Sequence, residues 1–307
     1  MFFKPISVCA PIVSPAAPVA DHSRKVKDYS RHRAAPVLRS ARRRLAPPLK
    51  ALLGWFLFRS KLYQLLWKRQ AVIVAFHRID DSYPDDPLTC STGSFERFVK
   101  FCARHFEVIS LTELLQRLED GGPLPSSLTI TFDDGYRDNR TTAAPILERH
   151  RLRGCFFVTT DLIGTSHVPP WDREKNIQTR WMTWDEVRQL RDAGHEVGSH
   201  TRTHIDLGTA GTKEAFCEIA CGEKRLACEI GNSPGLFAYP FGGRGNTSDA
   251  IRELVIKSGL RCCLSAYGGT VKAGDDPFRL KRVNISGSPA SPYQFGFDLV
   301  TGRLEEK

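Results

Sequence analysis

The stretch Leu128-Thr129-Ile130-Thr131-Phe132-Asp133-Asp134-Gly135 decides how this chain is read. Its first five residues are apolar or β-branched and too few for a buried helix, so they form a strand. Two carboxylates follow at once, then a glycine able to turn the chain. Solvated aspartates in a turn would be unremarkable, whereas adjacent carboxylates in a confined mouth repel unless a cation or a shared proton compensates. Outward from this point the same pattern repeats. Strands are expected at Val72–Phe76, Phe106–Ile109, Leu128–Phe132, Cys155–Val158, Glu196–Ser199, Leu236–Tyr239, Arg261–Leu264 and Arg282–Ile285. Helices are expected near 94–104, 112–118, 142–150, 184–193, 212–230 and 248–258, with Ser94 and Ser248 as N-caps and Gly194 past a C-terminus. Strand and helix in alternation imply an α/β fold: a parallel sheet covered by helices, open or closed into a barrel.

In such folds the carboxyl ends of the strands share one face, and that face carries the chemistry. Here His77 follows the first strand, Asp133 and Asp134 the third, His200 and His204 the fifth, and Pro240-Phe241-Gly242 the sixth. If His200-Thr201-Arg202-Thr203-His204 makes one helical turn, its two imidazoles lie on one side and can share an ion. A paired His beside an Asp-Asp strand end is rarely structural.

Thr131–Gly135, the run Gly194-His195-Glu196-Val197-Gly198-Ser199-His200 continuing to His204, and Phe237-Ala238-Tyr239-Pro240-Phe241-Gly242 resemble the motifs of the polysaccharide deacetylase family, also called the NodB homology domain or carbohydrate esterase family 4. The resemblance spans about residues 71–290. It implies an irregular (β/α) barrel with fewer than eight regular units. It further implies Asp134, His200 and His204 as metal ligands and Asp133 as general base. The backbone N–H of Phe241 would serve as oxyanion donor, with Tyr239 and Pro240 at the substrate. One carboxylate and two imidazoles suit a divalent ion such as Zn²⁺ with positions left open, the mark of a catalytic site. The activity implied is hydrolysis of the acetamide of an N-acetylated amino sugar in a polysaccharide, oligosaccharide or lipid-linked glycan. O-deacetylation or deformylation would use the same site, and a catalytically silent carbohydrate-binding protein would keep the mouth without needing Asp133.

The chain departs from the family in three places. No histidine follows His204, so the acid that protonates the departing amine is expected to be His77, as in a subgroup with an early-strand His. Ala238 stands where an Arg usually orients the base, leaving Arg244, Arg279 and Arg282 as substitutes. No Trp follows Trp184, so the later Asp-Trp motif is absent. Trp171 and Trp181, in the long loop before the metal histidines, are candidates to stack on sugar rings.

The net charge of +10 is misleading, because residues 1–70 hold 15 Lys or Arg against Asp21 and Asp28 while the rest is slightly acidic. That distribution removes support for a nucleic-acid partner. Residues 1–48, rich in Ala, Pro, Ser and Arg, form an expected disordered basic tail. Prolines at 5, 11, 15 and 18 argue against a signal peptide, and nine scattered cysteines argue for a reducing compartment. The expected location is the cytoplasm, peripheral on the inner membrane face. Residues 49–70 combine Trp, Phe and Leu with Lys50, Arg59, Lys61, Lys68 and Arg69. They are too short a run to span a bilayer and read as a helix lying in an anionic interface through 49–69, or one packed on the domain. The catalytic domain is expected over 71–295, with a short tail at 296–307. Cys217, Cys221 and Cys228 share one helix without the Cys-x-x-Cys pairs of a structural metal site.

Overall fold

The computed structural model describes residues 46–304 apart from Lys68, Pro123 and residues 288–290. The expected basic tail therefore lies almost wholly outside the described residues. Strand β1 (Gln70–Phe76) is buried from its second residue onward. Two short strands, β2 (Arg78–Ile79) and β3 (Thr89–Cys90), pair with each other in parallel. The main sheet adds β4 (Glu107–Val108), β5 (Ser127–Phe132), β6 (Cys155–Val158) and β7 (Glu196–Ser199), then β8 (Val271–Lys272) and β9 (Val283–Asn284). Strand β5 runs parallel to β1 in unbroken register from Ala71↔Ser127 to Phe76↔Phe132, and β6 and β7 continue in parallel. Only β8 is antiparallel.

The strands expected at Leu236–Tyr239 and Arg261–Leu264 do not form ladders. They touch their neighbours at single residues: Ser199↔Phe237, Ala238↔Leu264 and Leu264↔Leu280. These touches carry the wall from β7 round towards β9, which pairs with β1 through Val74↔Val283. The result is a regular half-barrel completed by irregular segments. Turn-forming residues crowd both ends of the 236–239 segment, and Pro240 has no N–H to give a ladder.

Helices α1 (Pro47–Arg59) and α2 (Tyr63–Leu66) precede β1. After it come α3 (Thr92–His105), α4 (Leu111–Glu119), α5 (Ala144–Arg149), the short α6 (Pro170–Arg173), α7 (Trp184–Asp192), α8 (Thr212–Ile230), α9 (Asp249–Lys257) and α10 (Pro292–Val300). Six fall where the periodicity placed them. Ser248 caps α9 as expected, but α3 starts earlier, with Ser91 and not Ser94 as its cap.

The expected domain boundaries need correction at both ends. Helix α1 lies against α10, so closely that a Cβ on Gly54 would sit 2.0 Å from the Tyr293 carbonyl oxygen. Lys50 pairs with Asp298 at 2.9 Å across this contact. Phe58, Tyr63 and Trp67 are buried in the same core cluster as β1 and β5, so the 49–70 segment belongs to the domain. At the other end, α10 crosses residue 295 and buries Phe297 and Leu299, so 296–307 is not merely a tail. Among the described residues no helix is long and apolar enough to cross a membrane.

Candidate active site

Asp133 and Asp134 follow β5 directly and are both buried. The chain turns there because Asp134 takes a left-handed conformation (φ 74°), followed by Gly135 (φ 92°). The turn sends the two carboxylates to different partners. Asp134 Oδ1 lies 3.3 Å from His200 Nε2 and 3.2 Å from His204 Nε2, and it is buried without accepting a well-formed hydrogen bond. His200 Nδ1 sits 2.8 Å from the Ala238 carbonyl, to which it donates, leaving Nε2 as the free electron pair facing Asp134. One ligand atom from each residue falls within 4.8 Å of the others, and this is the one such convergence of three His, Cys, Asp or Glu side chains among the described residues. An orphaned carboxylate oxygen between two imidazole nitrogens is the donor set that a divalent cation fits. Burial alone would raise the Asp134 carboxyl, but the two imidazoles hold it well below the ordinary carboxylate range.

The expected helical turn at 200–204 is not what unites the histidines. The segment is irregular, with Thr201 (φ 65°) and His204 (φ 64°) both left-handed. Glu218 of α8 holds it by accepting hydrogen bonds from the backbone N–H of Thr203 (2.8 Å) and Arg202 (3.2 Å) and from the Thr203 hydroxyl (2.9 Å). Nothing in the sequence singled out Glu218, because a glutamate within a long helix carries no local signal.

Asp133 is gripped by Arg282, whose two terminal nitrogens donate to its two oxygens at 2.7 and 2.8 Å. The guanidinium is itself fully buried and fixed by a third bond to the Ser265 carbonyl. Of the three arginines considered, Arg244 lies over the Tyr267 ring and Arg279 pairs with Asp249 and Asp276. Burial would raise the Asp133 carboxyl, but Arg282 and His200 bring it below its ordinary value. His77 sits at the end of β1, its carbonyl held by Asn139 Nδ2 at 2.7 Å. Burial lowers its pKa against the pull of Asp134 and Asp133.

Phe241 has φ 60°, an exposed ring 5.0 Å from that of His204, and an N–H that donates to no protein group among the described residues. Trp171 also stands over the triad, its ring 4.9 Å from His204 and its Nε1 donating to the Tyr136 hydroxyl at 3.0 Å. Three of the expected substrate contacts are instead buried. Trp181 is buried, stacked on Tyr136 at 4.8 Å, with Nε1 donating to the His167 carbonyl, so it offers no free face. Tyr239 turns into the core and donates its hydroxyl to Cys263 Sγ. Pro240 is buried as well. His195 points away from the triad, with Nδ1 accepting from Gly154 N–H and Nε2 near Glu148. Cys217, Cys221 and Cys228 are free and exposed.

The family model for polysaccharide deacetylase matches residues 120–262, a span that contains Asp133, Asp134, His200, His204 and Phe241. Over that span the chain resembles the polysaccharide deacetylase family. A poly-β-1,6-N-acetyl-D-glucosamine N-deacetylase of Staphylococcus aureus is 22% identical over 201 residues, covering 64% of this chain and 67% of that protein. The Escherichia coli O157:H7 protein of the same name is 24% identical over 154 residues, covering 47% of this chain and 22% of its own length. The chain spans 56% of a further relative from Bacillus subtilis. The Streptococcus pyogenes deacetylase PplD, solved with acetate, shares the fold at a TM-score of 0.64 and 19% identity, over 74% of this chain and 96% of that one. The matched span holds both aspartates and both histidines, while the arginine that grips Asp133 is residue 282, outside that span.

Proposed function

We propose that the chain hydrolyses the acetamide of an N-acetylated amino sugar within a polysaccharide, oligosaccharide or lipid-linked glycan. The observation that carries the reading is the division of labour between neighbouring carboxylates: Asp134 faces two imidazoles, while Asp133 is held off that cluster by Arg282. A pure binding site needs no such second, separately fixed carboxylate. The relatives named as N-deacetylases of poly-N-acetylglucosamine support the same substrate class.

Asp134, His200 and His204 would hold Zn²⁺ or a similar divalent ion. When bound, that ion supplies Lewis acidity to the acetamide carbonyl and lowers the pKa of water. The protein does the rest. Asp133, aimed by Arg282, takes the proton of the attacking water. The Phe241 N–H, free of any protein acceptor, donates to the carbonyl oxygen as it gains charge. His77, beside both carboxylates, gives a proton to the departing amine nitrogen. The half-buried ring of Trp171 and the exposed ring of Phe241 flank His204 and would bracket a sugar ring.

Acetate release from a panel of N-acetylglucosamine glycans, with metal analysis, tests the reading. Asp133→Asn should keep its metal content and lose roughly 10²-fold or more in turnover. Loss of metal in parallel with activity would make Asp133 a ligand instead. Release from O-acetyl or N-formyl substrates alone would move the activity to those classes.

A further inference from the structure

Eleven large hydrophobic side chains are exposed among the described residues, and eight of them fall between residues 49 and 66. Helix α1 buries Gly54 and Phe58 against the domain but turns Leu52 (61% exposed), Trp55 (48%) and Phe56 (56%) to solvent; Leu65 (65%) and Leu66 (54%) continue the surface on α2. The packing of α1 on α10 therefore explains one face of the helix and leaves the other unaccounted for. A patch this apolar on a monomeric surface marks an interaction site.

Its surroundings decide the partner. Beside Trp55, between the α1–α2 turn and the end of α3, lies a cavity of about 390 Å³. Its walls include the aromatic rings of Tyr63 and Tyr293, and its cations are Arg59, Lys61 and Arg104. No acidic residue lines it, and none of the three cations has an ion-pair partner among the described residues. His105 closes the base with a buried Nε2 that has no hydrogen-bond partner. From Tyr29 to Ile79 the sequence contains no acidic residue at all.

We propose that the α1–α2 face docks on an anionic phospholipid bilayer, with Leu52, Trp55, Phe56, Leu65 and Leu66 entering the interface and Arg59, Lys61 and Arg104 holding a lipid headgroup phosphate in the cavity. Leucine and tryptophan that enter the acyl boundary beside unpaired cations match a surface that is apolar below and negative above. Aromatic walls suit this position, since Tyr and Trp favour the headgroup level.

The test uses the full chain with vesicles of phosphatidylcholine alone or mixed with phosphatidylglycerol. Binding should be at least about tenfold tighter to the anionic vesicles. Phospholipids brominated on their acyl chains should quench tryptophan emission in the parent protein, and much less in Trp55→Phe. Combined reversal of Arg59→Glu, Lys61→Glu and Arg104→Glu should weaken vesicle binding at least about tenfold. Control reversals at Lys213, Lys224 and Lys257, exposed on α8 and α9, should change it far less. Equal binding to both vesicle types, undiminished quenching in Trp55→Phe, or a cavity variant no weaker than the control would each overturn the proposal. So would inorganic phosphate that binds with the same dependence on Arg59 while vesicles do not, which would make this a soluble-anion site. The quenching arm needs only the parent protein and one isosteric exchange, so a folding defect in the charge variant leaves the proposal testable.

Discussion

Asp134, Thr201, His204 and Phe241 all stand on left-handed backbone, half of the eight non-glycine residues with positive φ among the described residues. Such conformations cost about 1–3 kcal/mol each and persist only where the surroundings fix them. Here they set Asp134 and His204, which could share a metal ion, the loop leading to His204, and the Phe241 N–H. Arg282 does comparable work for Asp133. Its fork matches the carboxylate geometry, which a lysine ammonium cannot reproduce. Arg282→Lys should therefore keep the charge and the bound metal but lose roughly tenfold or more in turnover, with a pH–rate profile displaced because Asp133 is held less firmly. Measuring kcat against pH alongside metal content checks this, and an unchanged profile at full activity would show that the fork is unimportant. The sequence offered three arginines and no way to choose. The partners are 149 residues apart, and only the pairing of both β5 and β9 with β1 brings them together.

The strands and helices that carry the site were legible because each shows its own period: buried runs for β1, β5 and β6, and one-sided apolar patterns for α3, α4 and α7. What lies between them was not. The 200–204 segment satisfies the spacing of a helical turn yet folds as an irregular loop, because α8 supplies its hydrogen bonds from outside through Glu218. The same helix must approach very closely. A Cβ on Gly222 would meet the Thr201 carbonyl carbon at 2.8 Å and the Arg202 nitrogen at 3.0 Å. Gly222→Ala favours the helix by about 1 kcal/mol in isolation, but here it must push the loop or the helix away. On the proposed reading, affinity for the divalent ion should fall roughly tenfold or more while the fold persists. Competition with a chelator measures this, and unaltered affinity would show that the close approach does not position His204. A second clamp acts on the loop that carries Trp171. Buried Arg78 pairs with Asp86 at 2.8 Å and with Asp172 at 2.6 Å, tying α6 to the strand end beside His77. Trp171 and Trp181 looked alike in the sequence, and only this tie and the stacking on Tyr136 separate a half-buried aromatic from a buried one.

At the scale of the whole molecule, stability should depend on pH through Asp138, whose carboxylate accepts from the Ile79 N–H at 2.8 Å and from Asn139 at 2.9 Å. Burial raises its carboxyl from the ordinary 3.8 to about 6, despite those bonds. The folded state therefore holds a proton that the unfolded chain has released, so this contribution is present below about pH 4 and is lost as pH rises to about 6. The linkage is worth up to about 3 kcal/mol, and partial contact with solvent trims it to about 1–2 kcal/mol. Asp138→Asn should flatten that slope, and denaturant midpoints that run parallel in variant and parent across this window would refute it. The last expectation concerns where the domain begins. The sequence placed its start at residue 71 because the apolar content of 49–69 had two explanations, membrane and packing, that periodicity does not separate. In the structure α1 and α2 pack on the domain through Phe58, Tyr63 and Trp67 and leave a second apolar face exposed. Burial of each is worth about 1.5–3 kcal/mol, so a chain beginning at Gln70 should lose about 5 kcal/mol or more, comparable to the whole stability of many domains. It would also leave Gly54's partner surface on α10 and the ring of Phe101 open to water. A chain beginning at Leu45, which keeps both helices, should melt like the parent. Circular dichroism melts of the two truncated forms separate these outcomes. A Gln70 form that unfolds as cooperatively and as late as the parent would return α1 and α2 to the status of an appended segment.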